Sequence, residues 1–345
     1  MARGLQPRSA VKPARPGQTS ERSRAACWKA GLAALALLTL AVRALAQTAA
    51  EPPSGQDPTL AQQAPATQQP APTTPVPLFP RHRRGLYKNG LGLWVLDATP
   101  QSPPLDTDDP SVPDKGAYEI NLTTDTDASR LTKKFDLLSI DANYGMVPSI
   151  LGHDLPTQLK LEVPISAARN GDDPYSTGLG EGQFGLKFNF YENERVGIGM
   201  SFYPQVEFAT GPGAVANGLA DRGQTLVVPL LVSKDLKYLT LVVNAAVNTP
   251  VHDPSRSTTA TLSAGVGLPV TRKLAVMAEV HSDSSVDLAH DRVLMVNVGL
   301  MRAVGQATVL YANVGHTLFS YDTVAHTYAG AGLKLLIKPD AAGPR

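Results

Sequence analysis

From Gly116 onward, apolar residues recur at every second position through segment after segment, and that 180° period confines the chain to two-faced β-strands. Residues 183 to 190 show it plainly: Phe184, Leu186, Phe188 and Phe190 share one face, while Gln183, Gly185, Lys187 and Asn189 share the other. The next stretch holds phase longer, with Ile198, Met200, Phe202, Val206 and Phe208 opposite Gly197, Gly199, Ser201, Tyr203, Gln205 and Glu207. Twelve strands are predicted, near 116–122, 134–144, 155–165, 182–191, 196–209, 223–234, 238–248, 258–268, 273–281, 291–302, 306–316 and 326–337.

Strand length narrows the choice further. Most of these segments run nine to fourteen residues, whereas strands of soluble domains average about five or six and tilted strands crossing hydrocarbon need about nine to eleven. The connections alternate as well. Those at 192–195, 235–237, 269–272 and 303–305 are tight, while those at 166–181, 210–222, 249–257, 282–290 and 317–325 are longer and rich in Gly, Asp, Ser or Thr. Short turns at one end and long loops at the other are the habit of outer-membrane barrels. Hydrocarbon cannot satisfy an unpaired strand edge, so an inserted sheet must close on itself. The predicted fold is all-β: a closed antiparallel transmembrane β-barrel of about 12 strands over 116–338, with both termini on the periplasmic side and a C-terminal tail at 339–345. Three features strain this reading. Aromatics are only 6%, the connection at 145–154 is long where a tight turn is expected, and Pro164, Pro204 and Pro229 each remove a ladder donor and call for a bulge or kink.

The first 46 residues hold eight basic side chains against one acid, Glu21. An uncharged run from Ala30 to Val42 follows the basic stretch, and small residues Ala44 and Ala46 suit cleavage before Gln47. That pattern predicts a signal peptide over 1–46, since the run is too short to span a bilayer as a helix. Residues 47–115 read as a disordered Pro/Gln-rich linker and irregular lead-in, Pro, Gln, Ala and Thr to Pro80 and then Arg81-His82-Arg83-Arg84. Beyond the leader 23 bases face 29 acids, a net charge of −6 that speaks against nucleic acid as a partner. The single cysteine, Cys27, lies in the leader, so the rest of the chain has no disulfide, thiol nucleophile or thiolate metal site.

The segment Gly178 to Lys187 (GLGEGQFGLK), the strand ending Pro204-Gln205-Val206-Glu207-Phe208-Ala209-Thr210-Gly211, and Pro229 to Lys234 (PLLVSK) resemble the transporter-like outer-membrane family labelled "MetA-pathway of phenol degradation". The resemblance covers roughly 116 to 338 and implies an outer-membrane channel or uptake protein, hydrophobic or aromatic compounds being among its solutes. The end of the chain departs from the usual barrel ending. Gly332 to Ile337 alternates, but no Phe or Trp closes it.

Gly178-x-Gly180-x-Gly182 fails dinucleotide spacing, because Gln183 stands where the third glycine belongs and a strand follows; a flexible descent using positive φ explains it better. Asp106-x-Asp108-Asp109, Asp125-x-Asp127 and Asp172-Asp173 read as acidic loops without a complete calcium spacing, so no metal site is predicted. His281-Ser282-Asp283-Ser284-Ser285 places a base, hydroxyls and a carboxylate together near a strand end, the one hint of a membrane-embedded hydrolase. No catalytic residue and no cofactor are predicted.

With the apolar faces turned to lipid, the polar faces put Lys160, Glu162, Lys187, Asn189, Gln205, Glu207, Asn244, Glu279, His281, Asn297, Asn313 and Lys334 in the lumen. Twelve strands enclose a backbone radius of about 12 Å, enough for a narrow wet interior. Acids and bases are mixed there, which predicts weak ionic selectivity, and Lys187 could instead pair with Glu162 or Glu207 and block the passage. The expectation is a passive channel for small solutes. Its partners would be outer-membrane lipid, lipopolysaccharide and the assembly machinery. A closed barrel with a structural or binding role is the alternative, and a soluble periplasmic β-protein a third.

Overall fold

The computed structural model describes residues 86–88, 93–150, 152–286, 292–321 and 324–338. The predicted signal peptide, the Pro-rich run to Pro80, Arg81 to Arg84 and the tail at 339–345 lie outside the described residues.

Among the described residues there is no helix long and apolar enough to cross a membrane; the regular structure is β. A short hairpin, β1 (Leu86–Lys88) and β2 (Trp94–Leu96), precedes the main sheet. That sheet contains β3 (Tyr118–Ala128), β4 (Thr132–Met146), β7 (Thr157–Asn170), β8 (Ser176–Leu179), β9 (Glu181–Asn193), β10 (Ile198–Phe202) and β11 (Gln205–Ala209). It continues through β12 (Gln224–Asp235), β13 (Thr240–Val251), β14 (Thr259–Thr271), β15 (Leu274–Ser285), β16 (Val293–Ala303), β17 (Thr308–Ser320) and β18 (Thr327–Ile337). A two-stranded finger, β5 (Ser149–Ile150) with β6 (His153–Asp154), occupies the connection that the sequence left too long for a turn.

β8 with β9 makes one stave and β10 with β11 another, so the wall has twelve staves, all antiparallel. The last strand pairs with the first over the whole of β18, from Thr327 opposite Ala128 to Ile337 opposite Tyr118, and no edge is left open. The tight connections lie at 194–197, 236–239, 272–273 and 304–307, on the rim where β3 begins and β18 ends.

The three strand prolines act on their neighbours as well as on themselves. Pro204 divides β10 from β11. Across from that gap lies Pro229, which stays inside a continuous β12 and accepts from the Tyr203 amide through its carbonyl. Pro164 likewise stays inside β7, and the break falls on the partner at Gly180, between β8 and β9, whose amide donates to the Pro164 carbonyl. At Pro164 and Pro229 the proline's own strand runs on and the break falls on the neighbouring strand, whereas Pro204 interrupts its own.

The outward face is apolar all round. Ile140, Leu161, Phe184, Leu230, Leu262, Val280, Val298 and Val314 are all exposed. Four charged residues alternate to that face, Lys133, Arg169, Lys234 and Arg302, and each stands one residue from a strand end. Exposed tyrosines stand at the rims, Tyr118, Tyr191 and Tyr238 on the tight-turn side and Tyr175 and Tyr321 on the other, while Phe184 and Phe202 are exposed within the wall. The inward face carries the buried polar residues, among them Glu119, Asn121, Asp141, Lys187, Glu279, Asn297 and Lys334.

Candidate functional site: a filled lumen

Residues 93–115, part of the 47–115 stretch that reads from sequence as disordered linker and irregular lead-in, run inside the barrel with defined contacts to its wall. The segment enters at the tight-turn rim, where the Leu96 amide donates to the Arg272 carbonyl at 2.8 Å. Halfway up, Glu279 on β15 accepts the amides of Asp106 (2.9 Å) and Thr107 (2.7 Å), and the Thr107 hydroxyl meets that of Ser263 on β14 at 2.9 Å. The segment then crosses to β9, where Lys187 Nζ reaches Asp108 Oδ1 at 2.9 Å and the Asp109 carbonyl at 2.8 Å. On the way down the Pro110 carbonyl accepts from Asn189 at 3.0 Å and from the Ser201 hydroxyl. It regains the starting rim at Gly116, whose amide donates to the Gly145 carbonyl at 2.8 Å. Contacts to walls on opposite sides of one sheet are possible only from its interior.

Two kinds of seat hold this loop. The lower one is apolar: Leu86, Leu96, Ala98 and Leu105 pack with Ala275, Met277, Met301, Ala303, Val309 and Tyr311 of β15 to β17. The tight-turn half is therefore a packed core, which corrects the picture of a wet interior along the whole length. Full burial of Leu96 and Leu105 is worth about 1.5–3 kcal/mol each. Inward-facing glycines make room for it. A Cβ on Gly267 would overlap the Ala98 carbonyl, and one on Gly145 would overlap the backbone of Pro113 and Asp114. The second seat is polar. Lys334, fully buried, holds Gln101 Oε1 at 2.6 Å and Glu119 at 2.9 Å, while Lys187, also fully buried, pairs with Asp108 and Asp109 rather than with Glu162 or Glu207.

The remaining predicted lumen residues fall as follows. Lys160 pairs with Glu162 at 2.9 Å, and Glu162 also accepts from Ser139 at 2.8 Å. Gln183 donates to Glu207 at 3.4 Å, and Gln205, half-buried, stands opposite Gly185. Asn297 donates to Glu279 at 3.1 Å, Asn313 lies 3.5 Å from Asn297, and Asn244 is buried beside Ser263. His281 Nε2 meets Asp283 at 2.9 Å on the inward face, which the buried Ser285 shares, whereas Ser282 and Ser284 alternate to the outer face. Among the described residues no cluster of three or more His, Cys, Asp or Glu is arranged to hold a metal.

Two other readings of the sequence are revised. Asp125 and Asp127 belong to β3 and face the lumen, not a loop. Gly178, Gly180 and Gly182 do not use positive φ; a Cβ on Gly180 would strike the Ser166 hydroxyl, and one on Gly182 the Thr210 methyl. Close approach is their reason.

Open space remains on both sides of the segment. Toward the long loops a cavity of about 230 Å³ is lined by Asp106, Asp125, Asp127, Lys134, Asp136, Asn297 and Asn313. Toward the tight-turn rim a second, about 480 Å³, lies between Ser111 to Ala117 and the neighbourhood of Pro156, Glu192 and Leu336.

At the lower rim, burial and the nearby charge of Asp109 raise the Asp97 carboxyl to about 7, against hydrogen bonds from the Thr99 amide and hydroxyl. A folded pKa above the unfolded value means that Asp97 supports the seated segment fully below about pH 4 and loses that contribution as pH rises through about 7. Protease cleavage within 93–116 is therefore expected to be faster at pH 8 than at pH 5, and Asp97→Asn to flatten the difference.

No family model matches the chain, and no curated protein is significantly similar to it. Solved structures to which the chain is similar include the KdgM porin, at 8% identity and a TM-score of 0.41 over 62% of this chain and 98% of that one. The NanC porin gives 8% identity and 0.43, over 63% of this chain and 98% of that one. The translocator domain of the autotransporter NalP from Neisseria meningitidis gives 12% and 0.39, over 64% and 88%.

Proposed function

We propose that this chain is an outer-membrane channel for small hydrophilic solutes, with a preference for cations. The observation that carries the reading is the division of the barrel's two faces: an apolar exterior whose charges stand only beside strand ends, around an interior lined with charge and amide. Hydrocarbon favours such an exterior, and water such an interior. The hydrophobic or aromatic solutes implied by the family resemblance fit the polar outer lumen less well than hydrated ones.

The cation preference follows from where the charges lie. Lys187 and Lys334 are committed to acids in the filled half. The outer cavity has Asp106, Asp125, Asp127 and Asp136 facing Lys134. Fixed charge of one sign in a narrow water-filled passage enriches the opposite ion. The test is conductance of the purified, inserted protein in a planar bilayer under a salt gradient. Unit currents with a cation-selective reversal potential are expected. Asp125→Asn with Asp136→Asn should lower the cation-to-anion permeability ratio by about twofold or more. A correctly inserted barrel that passes no current under any condition would remove the channel function.

The packed core in the tight-turn half favours one second reading, a permanently closed barrel with a structural or binding role. It requires insertion without currents.

A further inference from the structure

We propose that residues 93–116 form a displaceable plug, a gate for the channel proposed above, on which this inference rests. Topology makes withdrawal possible. The segment enters beside Arg272 and leaves beside Gly145, both on the tight-turn rim, so the loop can retreat through the mouth by which it came without any stave parting.

Its fastenings point the same way. Between Ala98 and Val112 the segment contributes no strand to the sheet, and it is held to the wall by side chains: Glu279 on the amides of Asp106 and Thr107, Lys187 on Asp108, Lys334 on Gln101. Departure costs the twelve staves none of their ladder bonds, including the closing seam of β18 with β3. The polar groups it would bare on the wall, Glu279, Lys187, Asn189 and Ser201, are ones that water satisfies. The cavities of about 230 Å³ and about 480 Å³ lie above and below the segment, and its removal would leave one continuous passage.

The close hydroxyls of Thr107 and Ser263, 2.9 Å apart, supply the test. In full-length chain carrying Cys27→Ser, the pair Thr107→Cys and Ser263→Cys would tie the loop to β14 when oxidised and free it when reduced. Oxidation is expected to cut unit conductance by about tenfold or more, and reduction to restore it. Equal currents in both states would overturn the gate and leave the channel standing. If neither this protein nor the unmodified chain conducts in either state, the channel reading falls and takes the gate with it. A second measurement does not depend on current. Thr107 is 0% exposed, so a single Thr107→Cys should label with a membrane-impermeant maleimide only when the plug leaves. Slow labelling in the inserted barrel supports displacement. No labelling, while Asp114→Cys at the exposed rim reacts fully, overturns it.

Discussion

Replacing Lys187 with Met is expected to unseat the inner segment while the barrel itself survives. The ammonium is fully buried, 2.9 Å from Asp108 and 3.7 Å from Asp109, and lies 4.7 Å from the centre of the Tyr203 ring. Removing one partner of such a pair strands the other charges without water, at a cost of about 3–5 kcal/mol. That rivals the gain from burying Leu96 and Leu105 together, so the balance between seated and released loop should move by about two to three powers of ten. The sheet is spared, because Met is unbranched and close to Lys in length and no ladder bond is touched. The expected readout is rapid protease cleavage within 93–116 with unchanged heat-modifiable mobility of the barrel on gels. Lys338→Met serves as the contrast: its pair with Asp114 is 3.2 Å long but 57% and 76% exposed, and such pairs contribute about 0–1 kcal/mol. Adding Asp108→Asn and Asp109→Asn to the Met variant should recover much of the protection, since the stranded charges go with them. A Lys187→Met protein as resistant as its parent would show that the lower apolar seat alone holds the loop.

The strands were legible because lipid imposes a strict period on one face, and the period survives wherever the other face is polar. It faded where both faces turned polar. In β3 the run Thr123 to Asp127 alternates threonine with threonine and aspartate, so its upper half looks like loop although it is wall. The same holds for the end of β15 from His281 to Ser285.

The inner segment could not be read as ordered from its own residues. Pro100, Pro103, Pro104, Pro110 and Pro113 give it an extended backbone without periodicity, the composition of a tether. Its order comes from the wall: from Glu279, Lys187 and Lys334, each of which looked like an ordinary pore-lining charge. One signal was present. Gly265, Gly267 and Gly299 occupy inward positions of β14 and β16, and a glycine in a strand marks a place where something comes close. Here Pro100, Ala98 and Pro104 come close.

An arginine at position 314 is expected to be the most damaging single change on the outside of the barrel. Val314 is the middle residue of β17, 56% exposed, with Val298 of β16 beside it, itself 46% exposed. On the surface of a soluble β-protein, Val314→Arg would change stability by about 0.5 kcal/mol or less. At the midplane of a bilayer the same change costs about 2–4 kcal/mol, falling to about 0–1 near the interface. Thr308→Arg lies on the same strand and the same face but at the rim, so comparing the two cancels strand propensity and leaves depth as the variable. Asn313→Arg, one residue away, turns the charge into the lumen and should be tolerated better than Val314→Arg. Urea titration of the folded protein in lipid vesicles, read by heat-modifiable mobility, measures all three. The ordering Val314→Arg worst by about 2 kcal/mol or more follows only if acyl chains lie against this face. Equal costs at 308 and 314 would mean that no hydrocarbon surrounds the barrel, and the membrane channel would go with it.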